Sequence, residues 1–316
     1  MMQVCAEALG AGIAREAYPI PPQESLLETV TAELVCEIDR GGNALEGLIF
    51  EDADHLLFVS APDCRLVRLD LRTAAIETVC VLPTGSHPAG LRIAADGRYY
   101  VACLGPDSGG FIAVISPEGA IERLLFDGAG YHIDDVVFDG RGGFFFSDMG
   151  GSAQCPTGGV YHVSEPGATV EPVLTNRCMA NGIALEPDGH TLWVTEFGAG
   201  ILYRLHLQDD LASIAPYGTS MPYSFIGCGG CDSCELDAAG NLYVAIFGQG
   251  RYLVFAPNGV PRGQIVIPGR ERGCMLMTTH AAMRPGTDEI YACSADEQSG
   301  LSAIYMAHGY TVQPAR

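Results

Sequence analysis

The chain has 316 residues, of which 48% are hydrophobic and 17% are charged, a balance typical of globular proteins and unlike that of disordered ones. Its formal net charge is -21, so we expect neither a nucleic-acid partner nor an anionic membrane partner, because polyanions would be repelled. All 17 basic residues are arginine, which excludes mechanisms that need a lysine, such as a Walker motif or a Schiff base.

The N-terminal stretch MMQVCAEALGAGIAREAY lacks the basic region of a signal peptide. No apolar run approaches the roughly 18 residues that span a bilayer. We therefore expect a cytoplasmic protein, in which most of the 12 cysteines are buried small hydrophobes. We expect residues 1–29 to form an extension that packs on the following domain. The sequence leaves the oligomeric state open.

A turn signal followed by a short aromatic or β-branched run recurs six times, at intervals of 42 to 50 residues. The central aromatic residues of the six copies are Phe58, Tyr100, Phe145, Trp193, Tyr243 and Tyr291. Further strand-like runs lie between the copies, whereas convincing amphipathic helices are lacking. Six units of about four strands each predict an all-β fold, a single six-bladed β-propeller over residues 30–316. The alternative, an all-β pair of sandwich domains, does not predict a sixfold period.

The segment VTAELVCEID, residues 30–39, precedes the first repeat and has the composition of a strand. A propeller needs its ends joined so that no sheet edge is left exposed. We therefore expect this segment to pair with the last blade and to close the ring.

Polar residues recur 11 or 12 positions before the central aromatic residues, where the innermost strand of each blade would begin. The six positions hold Glu46, Pro88, Asp134, Asn181, Asp232, and Thr279 or His280. Because the inner strands line the central channel of a propeller, we expect these positions to converge. Converging carboxylates repel each other and have raised pKa values unless a cation neutralises them. Oxygen ligands without a matching histidine set favour Ca²⁺, with Mg²⁺ or Mn²⁺ as alternatives.

Several motifs resemble those of a known family. They are LEGL at 45–48, IDDVVFD at 133–139, ANGIAL at 180–185, CDSC at 231–234 and TTH at 278–280. Through them the chain resembles the SMP-30/gluconolactonase family of six-bladed, metal-dependent hydrolases over nearly its whole length. The resemblance implies a central calcium ion held by four side chains, with Ser233 in the shell: Glu46, Asp134, Asn181 and Asp232. It also implies lactone hydrolysis with Asp232 as the acid/base residue, and we consider Asp134 the alternative base.

The resemblance further implies a second, structural calcium ion near the third blade. Its ligands would include neighbouring backbone carbonyls and groups at five positions: Ser108, Gly110, Asp127, Ala129 and Tyr131. The loop DGAGYHID is about one residue shorter than the family pattern and lacks an expected threonine. The second site therefore stays open.

The substrate pocket should form from the loops that lead into the inner strands. Candidate lining residues are His87, His132, Phe197, Tyr223, Phe225, Met275 and His280. Their apolar character favours an alkyl or aryl lactone over a free sugar lactone. Two alternatives stay open, a related propeller hydrolase that acts on phosphotriesters or another cyclic ester-like bond, and a non-catalytic binding propeller. A binding scaffold has no need for four converging oxygen ligands.

Three cysteines fall within GCGGCDSC, residues 227–234, a spacing that suggests a thiolate metal site. A bacterial ferredoxin pattern would require a fourth cysteine where Ala238 stands. A zinc ribbon would require a second CxxC pair elsewhere in the chain. Asp232 lies at the repeat position that we expect to face the central channel. We therefore favour the oxygens of Asp232 and Ser233 over the cysteine sulfurs as metal ligands. The roles of the three cysteines stay open: Cys228, Cys231 and Cys234.

Overall fold

The computed structural model describes residues 19–41, 44–227 and 229–311. Two strands precede the first blade, β1 (Glu28–Thr31) and β2 (Glu33–Asp39). Blade 1 comprises β3 (Leu45–Phe50), β4 (His55–Ser60), β5 (Arg65–Asp70) and β6 (Ala75–Val81). Blade 2 comprises β7 (Pro88–Ile93), β8 (Tyr99–Cys103), β9 (Phe111–Ile115) and β10 (Ile121–Leu125). Blade 3 comprises β11 (Ile133–Phe138), β12 (Phe144–Asp148), β13 (Gly158–Val163) and β14 (Glu171–Arg177).

The second half of the ring has the same plan. Blade 4 comprises β15 (Ala180–Leu185), β16 (Thr191–Glu196), β17 (Ile201–Leu207) and β18 (Ile214–Ser224). Blade 5 comprises β19 (Cys231–Leu236), β20 (Leu242–Ile246), β21 (Arg251–Phe255) and β22 (Pro261–Val266). A 3-10 turn, Arg270–Arg272, follows blade 5. Blade 6 comprises β23 (Met277–Met283), β24 (Glu289–Ala295) and β25 (Ser302–His308).

The inner strands form a closed ring. The first strand of each blade contacts the first strand of the next, and β23 of blade 6 contacts β3 of blade 1. The predicted all-β, six-bladed propeller is therefore confirmed. Among the described residues, no helix is long and apolar enough to cross a membrane.

The N-terminal strands close the ring across two blades. Strand β2 pairs antiparallel with β25, with Leu34 opposite Tyr305, which confirms the predicted closure by the last blade. Strand β1 instead adds a fifth, parallel strand to blade 5. The chain passes between the blades at buried Ala32, whose N–H donates to the Val266 carbonyl at 3.0 Å. The segment predicted as one strand is thus divided between two sheets.

The residues before β1 are attached to blade 5 by a buried ion pair. Glu24 and Arg251 are each 1% exposed, and their side chains pair with each other. The Tyr223 hydroxyl also donates to the Glu24 carboxylate. The division into a 1–29 extension and a 30–316 domain stays a prediction, because β1 spans that boundary and residues 1–18 lie outside the described part.

The six predicted aromatic residues lie in the core, where all are 5% exposed or less. Five of them occupy the same register in the second strand of their blades, for example Tyr100 opposite Arg92 and Tyr243 opposite Glu235. In blade 1 that register position belongs to Leu57, opposite Ile49, and Phe58 follows it. The repeat thus uses an apolar core residue, which is aromatic in five of six blades.

Every inner strand contains a β-bulge near its start. The pairing with the second strand shifts by one residue within Glu46–Ile49, Pro88–Leu91, Ile133–Val136, Ala180–Ile183, Cys231–Cys234 and Thr278–Ala281. A bulge re-aims side chains at the place where it occurs. It also defines which residues are equivalent, and it places Ala89 in blade 2 and Thr279 in blade 6 at the position of Asp134. The position assigned to Pro88 by counting is therefore displaced by one residue.

Candidate functional site

Three carboxylates from three blades face each other at the start of the inner strands. Asp134 and Asp232 are each 5% exposed, and Glu46 is partly exposed. Burial raises the pKa of Glu46 well above its ordinary value, and repulsion by Asp232 and Asp134 raises it further. Burial and the charge of Asp232 likewise raise the pKa of Asp134 well above its usual range. The charge of Asp232 thus disfavours ionisation of both Glu46 and Asp134, so the three groups lie near each other.

Hydrogen bonds stabilise the ionised form of Asp232 more than that of the other two carboxylates. Burial raises its pKa to about 7, while the Ser233 N–H and the side chains of Asn181 and Ser233 oppose that rise. The Ser233 N–H donates to the Asp232 Oδ1 at 2.9 Å. A carboxyl group with this pKa can exchange a proton near neutral pH, as acid/base catalysis requires.

The side-chain oxygen of Asn181 is a hydrogen-bond acceptor to which no group donates among the described residues. Its side chain is 2% exposed, and its Oδ1 has no hydrogen-bond partner among the described residues. A buried, unpaired amide oxygen is costly unless something binds it. Together with the three carboxylates, whose pKa values are raised, the Asn181 oxygen forms a group of oxygen ligands with no positive charge to balance them. These donors fit a hard divalent cation such as Ca²⁺.

The carboxylates are not drawn together at ion-binding distance. Within residues 19–41, 44–227 and 229–311, no three His, Cys, Asp or Glu side chains are gathered closely enough to hold a metal ion. Binding of a cation would require these side chains to close in. The ligand set predicted from the sequence stays a prediction.

A hydroxyl group on the second strand of blade 4 links two neighbouring inner strands and holds Asp232 in place. The Thr195 hydroxyl donates to the Asp232 carbonyl at 2.7 Å and accepts from the Gly182 N–H at 2.7 Å. A Cβ atom on Gly182 would lie 2.7 Å from the Cα of Ser233. Glycine is therefore required there so that the inner strands of blades 4 and 5 can approach.

A second cluster of polar side chains, with Asp135 and Arg92 at its centre, lies farther along the inner strands. The Asp135 carboxylate accepts from the Ile183 N–H at 3.1 Å and lies 3.8 Å from the Arg92 guanidinium. Arg92 is also 3.4 Å from Glu235 and supplies the positive charge of this part of the channel. His280 is fully buried, and neither ring nitrogen has a partner in the described residues. Burial and the charge of Arg92 lower the pKa of His280 well below its usual value, so its ring is neutral.

Two of the predicted pocket histidines are partly exposed on the loops above the inner strands. His87 has a positive φ of 46°, and its Nδ1 is buried without a partner among the described residues. The His132 ring Nδ1 lies 3.0 Å from the Leu104 carbonyl. These side chains are available to contact a ligand, and their pocket role stays a prediction.

The predicted aromatic residues of the pocket fall into two groups. Tyr223 and Phe225 contact each other and pack on Phe255, with ring centroids between 5.1 and 6.0 Å apart, on the core between blades 4 and 5. Phe197 instead lies near Phe247, with ring centroids 5.9 Å apart. Met275 is 5% exposed in the core between blades 5 and 6. Phe197 is therefore the best placed of these residues to reach a ligand.

A ring of residues at the channel mouth, apart from Phe197, was missed in the sequence. Five of these residues directly follow the second strand of their blade and the sixth, Ala295, ends it, and we call them the mouth ring: Ala61, Leu104, Met149, Phe197, Phe247 and Ala295. The Met149 sulfur lies 3.9 Å from the Asn181 Nδ2, so the ring reaches the side chains of the site. Each member stands four residues after the core residue of its repeat, a fixed offset that could have identified it.

The residues proposed for the second calcium ion lie between blades 2 and 3. The Gly110 N–H donates to the Tyr131 carbonyl at 2.6 Å, and the Ala129 N–H donates to the Phe126 carbonyl at 2.9 Å. One of the expected carbonyl ligands thus already accepts a hydrogen bond. Ser108 and Asp127 are both exposed. This second site stays a prediction.

The cysteines of CDSC are buried and protonated. The Cys231 thiol lies 3.4 Å from the Glu196 carbonyl, to which it donates, and burial raises its pKa. Burial likewise raises the pKa of Cys234 well above its ordinary value. Metal binding requires thiolates, so both shifts argue against a thiolate centre. Cys228 lies outside the described residues.

Comparison with known proteins identifies relatives over nearly the whole chain. The family model of the SMP-30/gluconolactonase/LRE-like region matches residues 46–284. A lactonase named drp35 from Staphylococcus aureus is 42% identical over 307 residues, which cover 95% of this chain and 93% of the relative. Its namesake from Staphylococcus saprophyticus is 42% identical over 296 residues, 92% of this chain and 91% of the relative.

More distant solved structures share the fold. Regucalcin from Agrobacterium tumefaciens, described as a calcium-binding protein, has a TM-score of 0.71 at 19% identity and covers 92% of this chain and 100% of its own. A gluconolactonase from Xanthomonas campestris has a TM-score of 0.68 at 15% identity and covers 94% of this chain and 98% of its own. The family match and the close relatives settle the family. The chain belongs to the SMP-30/gluconolactonase family.

Proposed function

We propose that this chain is a lactonase that opens a cyclic ester to a hydroxy acid with the help of a divalent cation. The observation that carries the proposal is the convergence of Glu46, Asp134 and Asp232 beside the unpaired Asn181 oxygen. The relatives named lactonase, at 42% identity, support the same reaction class.

In this proposal Asp232 moves the protons. Its carboxylate accepts a proton from the attacking water and returns it to the alkoxide that leaves when the ring C–O bond breaks. The Ser233 N–H, which donates to the Asp232 Oδ1 at 2.9 Å, fixes the orientation of the carboxylate. Asp134 is the alternative base, and its raised pKa also suits proton transfer.

Glu46, Asp134, Asn181 and Asp232 would hold the cation, with Ser233 beside them. When bound, a divalent cation supplies positive charge that polarises the ester carbonyl and stabilises the charge that develops on its oxygen. We propose Ca²⁺ as this ion, with Mg²⁺ or Mn²⁺ as alternatives, because the donors are hard oxygens. The description of the regucalcin neighbour as calcium-binding supports that choice.

A substrate panel tests the proposal. Purified protein is stripped with a chelator, and hydrolysis of γ-, δ- and aryl lactones and of phosphotriesters is measured before and after Ca²⁺ is restored. We expect calcium-restored hydrolysis of lactones. Hydrolysis of phosphotriesters alone would favour the related hydrolase, and calcium binding without turnover of any ester would favour a binding propeller.

The remaining expectations about the protein's surroundings stay predictions from its sequence. The proposed partner is a small-molecule lactone, and the net charge of -21 opposes nucleic acid and anionic membranes as partners. A cytoplasmic location also stays a prediction.

A further inference from the structure

Two members of the mouth ring place phenyl rings beside the segment that leads to Asp232. Phe197 and Phe247 are both partly exposed, and their ring centroids lie 5.9 Å apart at an interplanar angle of 59°. The Phe247 N–H donates to the Gly230 carbonyl at 3.0 Å. The two rings therefore stand on blades 4 and 5 on either side of the residues just before Asp232.

Gly230 fixes how closely the first ring approaches. A Cβ atom at this position would lie 2.6 Å from the Cγ and Cδ2 atoms of Phe197. The phenyl ring thus rests directly on the backbone two residues before Asp232. Any larger residue at 230 would push the ring away from the mouth of the channel.

Two other members of the mouth ring are much smaller than this pair. In blades 6 and 1 they are the buried residues Ala295 and Ala61. In blade 2, across the six-membered ring from blade 5, the loop before the inner strand carries His87, whose Nδ1 has no partner among the described residues. Phe197 and Phe247 are the two aromatic members of the mouth ring.

We infer that Phe197 and Phe247 form an apolar wall that selects lactones with an alkyl or aryl substituent, which lies against the two rings. The inference rests on the proposed lactonase function and names its substrate class. Partly exposed phenyl rings favour an apolar partner, because burial removes their surface from water. A free sugar lactone would place hydroxyl groups against the rings and lose their hydration without a replacement hydrogen bond.

The test compares γ-butyrolactone with its 4-ethyl and 4-pentyl derivatives. In the wild-type protein, kcat/KM should rise with chain length, by up to about fourfold for each buried methylene. In Phe197→Ala and Phe247→Ala this rise should largely disappear, so that kcat/KM for the 4-pentyl derivative approaches the value that the same variant shows for γ-butyrolactone. The matched control is Phe138→Ala, which removes a partly exposed phenyl ring from the opposite end of a blade 3 inner strand. This control should keep the chain-length dependence.

A binding measurement separates this inference from the proposed function. Cyclopentanone and 2-pentylcyclopentanone lack a cleavable ester, and their dissociation constants report on the pocket without turnover. One outcome supports the wall and contradicts lactonase function. In it the wild-type protein hydrolyses no lactone but binds 2-pentylcyclopentanone more tightly than cyclopentanone, and Phe197→Ala abolishes that difference in affinity. An unchanged chain-length dependence in both phenylalanine variants, or its equal loss in the control, would overturn the wall.

Discussion

Removing divalent cations should destabilise the protein at pH 8 far more than at pH 5. Burial raises the pKa values of Glu46, Asp134 and Asp232, and repulsion by neighbouring carboxylates raises those of Glu46 and Asp134 further. At low pH these carboxyl groups are protonated, and the metal-free site costs little. A carboxyl whose folded pKa is raised contributes its stability below the unfolded pKa and loses it as the pH rises through the folded pKa. The metal-free protein therefore loses stability as the pH rises from about 4, where the unfolded aspartate ionises, to about 7, the pKa of Asp232 in the folded chain.

The size of the effect follows from the same values. The pKa of Asp232 is about 7 in the folded chain, against about 3.9 in an unfolded one, which corresponds to about 4 kcal/mol above pH 7. An unfolding entropy of about 2.1 cal/mol/K per residue over 316 residues converts this into a fall of roughly 6 °C in Tm. A bound cation offsets the repulsion and restores the loss.

Thermal unfolding measures this difference directly. Tm is recorded for chelated and calcium-saturated protein at pH 5 and pH 8, and the calcium effect is taken at each pH. Glu46→Gln removes one of the repelling carboxylates, so it should reduce both the loss at pH 8 and the calcium effect. The matched control Glu118→Gln, an exposed turn residue, should change neither. An equal calcium effect at both pH values would refute the reasoning.

Three further changes test individual contacts. Asp232→Asn removes the proposed proton acceptor and should lower kcat by at least about 10²-fold in steady-state kinetics. Thr195→Val leaves the Gly182 N–H and the Asp232 carbonyl without this partner and should cost about 1–3 kcal/mol in urea unfolding. Arg251→Met leaves the Glu24 carboxylate buried without its cation and should cost about 3–5 kcal/mol, part of which Glu24→Gln recovers in the double variant. Full turnover in the first variant, or wild-type unfolding midpoints in the other two, would contradict these assignments.

The propeller could be predicted from the sequence because its repeat is local. Each copy combines turn residues with an apolar core residue, and that pattern depends on burial inside one blade. The closure by Glu33–Asp39 also followed, because blade 6 would otherwise lack its outermost strand. The same periodicity predicted that Glu46, Asp134 and Asp232 lie near each other, and their roles stay a prediction.

The exact residue at each inner position and the partner of each added strand depend on pairing between strands. The local sequence pattern does not predict that pairing. The turn between the first two strands is one residue longer in blades 4 and 6 than in blades 2, 3 and 5, so the distance back from the aromatic residue varies by one, and counting assigned Pro88 where Ala89 stands. Strand β1 joins blade 5 through a parallel pairing with residues more than 230 positions away. Phe247 was missed because its importance comes from the neighbouring ring of Phe197 in another blade.

The most direct test of the account is the dependence of lactone hydrolysis on free Ca²⁺. Chelated protein is titrated with Ca²⁺, and kcat/KM for 4-pentyl-γ-butyrolactone is measured at each concentration, in wild type and in Asp232→Asn. We predict that chelation abolishes hydrolysis, that Ca²⁺ restores it along a saturable curve, and that Asp232→Asn stays inactive at saturating Ca²⁺. Full activity in the chelated wild-type protein, or a calcium-restored Asp232→Asn, would contradict the account.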